Sequence, residues 1–339
     1  MIYPLFPAEG DIIGICAPSA GIGAKAASFE SSLETLQENG FAICTTESVW
    51  SEDCPSAPAR IRGEEFNSLF ADDDIAMVMS AAGGDYNIEM LPFIDQELVR
   101  SHPKWFCGYS DPTNIGILLT TRLDIATIYG VNAGAWDWRP LHEFQENALE
   151  ILKGNILPQH SYSEWASGGF DEENECYIFD EPVYWTLLRS DGESLQEDDS
   201  LDVTGRLIGG CIDVIDWMIG TPYEDLNGFC ERYKGDGFIW FFDNFEMPPM
   251  SIFYTLTKMK LMGLFDHARA VVFGRTCFPG DADDIDYLLQ IEKVFTDIRV
   301  PVVWGADIGH TKPSMTIING SVGHLTIDSG AAYLEMNLK

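Results

Sequence analysis

Positive charge is the scarcest resource in this chain. Against 54 Asp and Glu stand only 20 Lys and Arg, leaving a formal charge of −34 on 339 residues. A reader of nucleic acid needs a basic face for phosphates, so that class is excluded. Docking on anionic membranes is disfavoured for the same reason. Closely spaced cysteines are absent too. Cys16, Cys44, Cys54, Cys107, Cys176, Cys211, Cys230 and Cys277 are nowhere closer than ten residues. No C-x-x-C exists, which removes zinc-ribbon and thioredoxin-like readings and leaves scattered, reduced thiols. No apolar run approaches the ~18 residues that span a bilayer. The start has no basic segment either: the first lysine is Lys25, and Glu9 and Asp11 interrupt the apolar stretch. A cytoplasmic protein is expected. Finally, Ala17-Pro18-Ser19-Ala20-Gly21-Ile22-Gly23 does not form a G-x-G-x-x-G string, so no dinucleotide site is assigned.

What is present is a folded core. Hydrophobic residues make up 46% and aromatics 12%, too many for a disordered acidic tail. At ~150 residues per domain the length predicts two domains. Over the first of these, short apolar runs at Asp11–Ala17, Phe41–Thr45, Ile75–Ser80, Lys104–Gly108 and Asp124–Tyr129 alternate with helical stretches. The helical stretches are Ala24–Asn39, Ala59–Phe70, Pro112–Thr121 and Leu141–Leu152. That alternation predicts a parallel sheet with helices on both faces, and sites at the carboxyl ends of its strands. A Ser-, Gly- and acid-rich stretch follows, so the expected division is residues 1–155, a linker over 156–175, and a second α+β domain over 176–339. In the second domain, strands are expected at Val183–Leu188, Gly237–Asp243, Ala270–Phe273 and Val302–Trp304, with short strands from Met315 onwards.

Three strand ends carry candidate chemistry. Phe106-Cys107-Gly108-Tyr109-Ser110-Asp111-Pro112-Thr113 runs from a buried strand through Gly-x-Ser into a proline-started helix. A serine there would stand above the sheet, with the Asp111 N–H and the helix N-terminus facing developing negative charge. Helix capping by Ser110 or Asp111 is the alternative reading. Ser80-Ala81-Ala82-Gly83-Gly84-Asp85 offers paired glycines at a strand end, where backbone N–H groups approach a ligand closely. A serine nucleophile needs a base and an orienting acid. Of the six histidines, His310 lies in a loop after an apolar strand; Asp243 ends the apolar run Phe238–Phe242, and Glu246 is three residues beyond.

Together these segments resemble the LD-carboxypeptidase family, serine peptidases that include murein tetrapeptide carboxypeptidases and microcin C immunity proteins. The resemblance runs in order from Gly10 to Gly320. It rests on Gly10–Ser19, Gly83-Gly84 before Leu91-Pro92, and Gly108–Asp111 with Thr113. It continues through Leu207–Gly210 with Gly220-Thr221, Phe241–Asp243, and Gly309-His310. It implies a flavodoxin-like N-terminal domain, a smaller α+β C-terminal domain, a site between them, no metal or other cofactor, and a homodimer. It implies Ser110 as nucleophile, His310 as base, and Gly84 and Asp111 as oxyanion-hole donors. Asp243 stands where the family usually has glutamate, which leaves Glu246 as an alternative acid. The implied reaction cuts an L,D-peptide bond of a peptide or muropeptide through an acyl-enzyme and releases terminal D-alanine. A carboxypeptidase must also hold a free carboxylate, for which Arg189, Arg206 and Arg275 are candidates. In a microcin-immunity-like enzyme acting on peptidyl or aminoacyl nucleotides, Trp165, Tyr184 and Trp185 could stack on a base. A non-catalytic binding protein on the same fold is the third reading.

Overall fold

The computed structural model describes residues 1–168, 170, 171 and 176–339. Residues 169 and 172–175 of the expected linker lie outside the described residues. The chain forms two compact units: Met1–Leu157 with Met218–Glu224 and Thr316–Gly320, and Pro158–Trp217 with Asp225–Met315 and Ser321–Lys339.

In the first unit the β-branched and apolar runs become β1 (Ile12–Cys16), β2 (Ala42–Thr45), β3 (Ile75–Ser80), β4 (Trp105–Cys107) and β5 (Thr127–Tyr129). All four pairings among them are parallel, in the order β2-β1-β3-β4-β5. This is the flavodoxin-like doubly wound order. Side chains of β1, β3 and β4 are buried, because helices cover both faces of such a sheet. The helix Ala26–Glu38 turns Phe29 and Leu36 inward, and Ala59–Ala71 does the same with Phe66, Leu69 and Phe70. A sixth strand, Ile317–Asn319, closes the edge antiparallel to β5.

The second unit is built on a nine-stranded sheet. Its centre is four parallel strands, Ser200–Cys211, Phe238–Asp243, Ala268–Gly274 and Val302–Ala306, and its margins are antiparallel. Ser200–Cys211 is the longest strand and was not expected from the sequence. Gly205, Gly209 and Gly210 break its apolar pattern; a Cβ on Gly209 would lie 1.8 Å from the Phe241 carbonyl oxygen, so close strand packing requires the glycine. The strand expected at Val183–Leu188 runs instead over Thr186–Ser190. Part of the stretch expected as linker is also paired: Gln159–His160 joins the sheet edge, and Glu164–Trp165 pairs with Glu181–Pro182. Helices Pro249–Leu261 and Asp284–Phe295 bury Ile252, Leu256, Met259, Ile291 and Phe295. Among the described residues no helix is long and apolar enough to cross a membrane, and no group of three or more His, Cys, Asp or Glu is placed to hold a metal ion.

Candidate active site

In the first unit, β4 ends at Cys107 and a helix begins at Thr113. The chain between them turns so sharply that Ser110 adopts φ +68°, the left-handed region that side chains avoid. The turn is held from both sides. The Gly108 N–H donates to the Ile128 carbonyl (3.1 Å), and the Tyr109 N–H to Asn132 Oδ1 (3.2 Å). Beyond Ser110, its carbonyl accepts from Thr113 N–H (2.9 Å), opening the helix. A Cβ on Gly108 would lie 2.9 Å from Pro112, so the hairpin-like crossing needs glycine there. This strand–serine–helix turn is the geometry of a nucleophile elbow, with glycine before the serine and proline where the motif's last glycine stands.

The segment after β3 lies alongside. A Cβ on Gly83 would sit 3.1 Å from Ser110 Oγ, and Gly84 holds φ +137°, which puts its backbone against Ser19. The Asp111 carboxylate, 1% exposed, accepts the Asn87 N–H (2.8 Å) and Asn114 Nδ2 (2.8 Å). Burial raises its pKa to about 6.

In the second unit, the parallel strand Phe238–Asp243 is buried along its whole length, and Asp243, wholly buried, is its last residue. A carboxylate in that position must be paired. His310 Nδ1 lies 2.7 Å from its Oδ2, and the His310 N–H donates to its Oδ1 at 3.2 Å. With Nδ1 turned to the acid, Nε2 is the nitrogen left for proton transfer. Gly309 makes the approach possible: at φ +101° its added Cβ would lie 1.9 Å from Asp243 Oδ1. The loop is fixed further by Gly309 N–H to Ser314 Oγ (2.8 Å) and by the buried Lys312, whose Nζ donates to the Gly309 carbonyl (3.2 Å). Burial lowers the Lys312 pKa, while Tyr177, Asp243 and Cys277 oppose that shift. The Phe245 ring packs on the imidazole at 4.6 Å between centroids.

Asp243, not Glu246, therefore faces His310; Glu246 is exposed, with its N–H donated to Asp213. The arginine candidates separate by strand polarity. Arg206 pairs in register with Phe238, at the opposite end of the strand from Asp243, and is committed to Asp236 (2.6 Å) and the Tyr233 ring. Arg189 follows Leu188, which pairs with Val302 at the start of its strand, and it bonds Asp198. Neither is at the His310 end, because register decides this and single-strand patterning does not carry it. Arg275 does follow the carboxyl end of its strand. It is buried against Asp307 (2.5 Å) and the Gly305 carbonyl (2.7 Å), with the Trp165 ring 4.8 Å from the guanidinium carbon. Trp185 is 1% exposed and donates Nε1 to Asp307 (3.1 Å), so it presents no face to a ligand; Tyr184 is exposed. Residues the sequence does not single out are Arg62, Asp307 and Lys312; Ser19 enters there only within the Ala17–Gly23 and Gly10–Ser19 segments.

Residues 13–130 match the LD-carboxypeptidase N-terminal domain, and residues 204–325 match the LD-carboxypeptidase C-terminal domain. The Vibrio cholerae protein VC_A0337 is 26% identical over 99% of this chain and 98% of its own. The Microcin C7 self-immunity protein MccF of Escherichia coli is 25% identical, over 93% of this chain and 91% of its own. Among solved structures, an MccF-like protein from Bacillus anthracis superposes with a TM-score of 0.82 at 20% identity, covering both chains in full. MccF in complex with aspartyl sulfamoyl adenosine gives 0.79 at 22% identity, covering 100% of this chain and 99% of that one.

Proposed function

Because the chain belongs to the LD-carboxypeptidase family, a family of peptidases, we propose that it is a serine carboxypeptidase that cuts an L,D-peptide bond and releases terminal D-alanine from a murein tetrapeptide. The observation that carries this reading is the strand-to-helix turn that holds Ser110 at φ +68°. Ser110 Oγ attacks the carbonyl of the scissile bond, and His310 Nε2 takes its proton. Asp243 holds Nδ1 and stabilises the imidazolium that forms. The N–H groups of Gly84 and Asp111 receive the oxyanion; one such donor contributes ~3–4 kcal/mol in the transition state. His310 then protonates the leaving amine, and water, activated by the same imidazole, releases the acyl group and frees Ser110. Arg275 is the remaining candidate for the substrate carboxylate, through the edge of a guanidinium already paired with Asp307. A relative named "Probable murein peptide carboxypeptidase", from Bacillus subtilis, 23% identical over 96% of this chain, supports the substrate class.

A second substrate, an aminoacyl or peptidyl nucleotide conjugate, is favoured by the likeness to MccF over 93% of the chain. One experiment separates the two. Purified protein and Ser110→Ala are given a tetrapeptide ending in D-alanine, with and without aspartyl sulfamoyl adenosine. Release of D-alanine by the wild type alone supports the first reading. Cleavage of the adenosine conjugate without D-alanine release supports the second. Equal turnover by Ser110→Ala sinks both.

A further inference from the structure

The loop after β3 and the elbow's own helix converge on one buried carboxylate, that of Asp111. From the loop after β3, the Asn87 N–H donates to Oδ2 (2.8 Å); from the elbow's own helix, Asn114 Nδ2 donates to Oδ1 (2.8 Å). From the loop after β1, the Ser19 hydroxyl oxygen accepts the Tyr86 N–H (3.0 Å). The Ala20 N–H reaches the Gly83 carbonyl (3.1 Å). Arg62, 1% exposed, crosses behind: Nη1 donates to the carbonyls of Pro18 (2.6 Å) and Tyr86 (2.9 Å), and Nη2 reaches Glu89 at 3.0 Å. The stretch between Gly83 and Asn87 is therefore tied at one end to Ser19 and Ala20 and at the other to the residue that follows Ser110.

We infer that the Asp111 carboxylate is a positioning residue: it holds the Gly83–Asn87 segment against the Ser110 elbow and so sets the spacing between the N–H groups of Gly84 and Asp111. The link is made to an ionised oxygen, and a charge-assisted bond is about twice as strong as a neutral one. Burial, followed at a distance by the charge of Asp85, moves this group up to about 6, so it is ionised at neutral pH. Arg62 is the cation whose charge is coupled to it. The tie between segment and elbow is therefore charge-assisted at neutral pH. Its consequence for catalysis rests on the reading of Ser110 as nucleophile; its consequence for the segment does not.

The test is amide hydrogen exchange on the full chain, wild type, Asp111→Asn and Ser19→Ala, at pH 7.5, corrected for intrinsic rates. Asp111→Asn should speed exchange at Tyr86 and Asn87 about tenfold, with β1 and β3 unchanged. Ser19→Ala, which removes the acceptor of the Tyr86 N–H, should speed exchange at Tyr86. Equal protection at Asn87 in wild type and Asp111→Asn overturns the inference. If Asp111→Asn does not fold, Ser19→Ala decides it: unchanged protection at Tyr86 and Asn87 overturns it. With the tetrapeptide, Asp111→Asn should lower kcat with KM little changed. If exchange behaves as expected but the wild type does not turn over the peptide, the peptidase reading falls and the positioning role of Asp111 stands.

Discussion

Asp243 holds His310 twice: one carboxylate oxygen lies 2.7 Å from Nδ1, and the other accepts the backbone N–H at 3.2 Å. Ring orientation and loop position therefore depend on the same acid. Asp243→Asn should keep the fold and lower kcat/KM by roughly 10⁴, since the amide stabilises the wrong tautomer and leaves no charge for the imidazolium. Asp243→Glu, although glutamate is the family's usual residue, should not restore activity. The extra methylene has no room in a site where Gly309 already touches the carboxylate. Steady-state kinetics on the two variants check both outcomes.

Ser110 sits in a backbone conformation that costs an L-residue roughly 1–2 kcal/mol. Ser110→Gly should therefore raise stability by up to about 1 kcal/mol while abolishing turnover. Ser110→Ala should lose turnover with no gain in stability. Urea denaturation alongside the peptidase assay reads both; a Ser110→Gly protein less stable than Ser110→Ala would show that the turn is not strained.

Gly309→Ala should be more damaging than an ordinary glycine substitution. The new Cβ would meet Asp243 Oδ1 at 1.9 Å, and overpacking of that kind costs about 1–3 kcal/mol in addition to the left-handed backbone. Gly280→Ala is the matched control. It also has positive φ, +65°, but nothing stands within 4 Å of its Cβ. Thermal denaturation should separate the two, with Gly309→Ala also losing activity.

His324 provides a pH dependence away from the candidate site. Nε2 lies 3.0 Å from Asp202 and Nδ1 3.6 Å from Glu335, which together hold its pKa above the ordinary 6.5. Its contribution is fully present below about pH 6.5 and is lost as pH rises through the raised value. The pair is exposed, so the effect is a few tenths of a kcal/mol. The melting-temperature difference between wild type and His324→Gln should be largest near pH 6 at low salt. It should vanish above the raised pKa and in high salt.

Where a candidate residue sits at the end of a local pattern, the sequence was enough to single it out. Ser110 follows Gly108 and precedes Pro112, and Asp243 is the first polar residue after five apolar ones. What the sequence did not carry is register. Arg206 and Asp243 lie on neighbouring strands, yet only the pairing of Arg206 with Phe238 reveals that they are at opposite ends. The same holds for Arg62, whose partners Pro18, Tyr86 and Glu89 are 24 to 44 residues away. Nothing near Lys312 announces a buried amine. That Asp243 rather than Glu246 faces His310 rests on the 2.7 Å and 3.2 Å contacts of a loop 67 residues away, which no local pattern carries.

The edge strand Ile317–Asn319 has a consequence for synthesis. It is the antiparallel neighbour of β5, which the ribosome finishes about 190 residues earlier. At ~5–20 residues per second, the nascent chain carries an unpaired β5 edge for ~10–40 s. An open strand edge is a template for pairing with other chains. The first unit is therefore most exposed to aggregation while it is being translated, and a gene cut after Leu157 would make that exposure permanent.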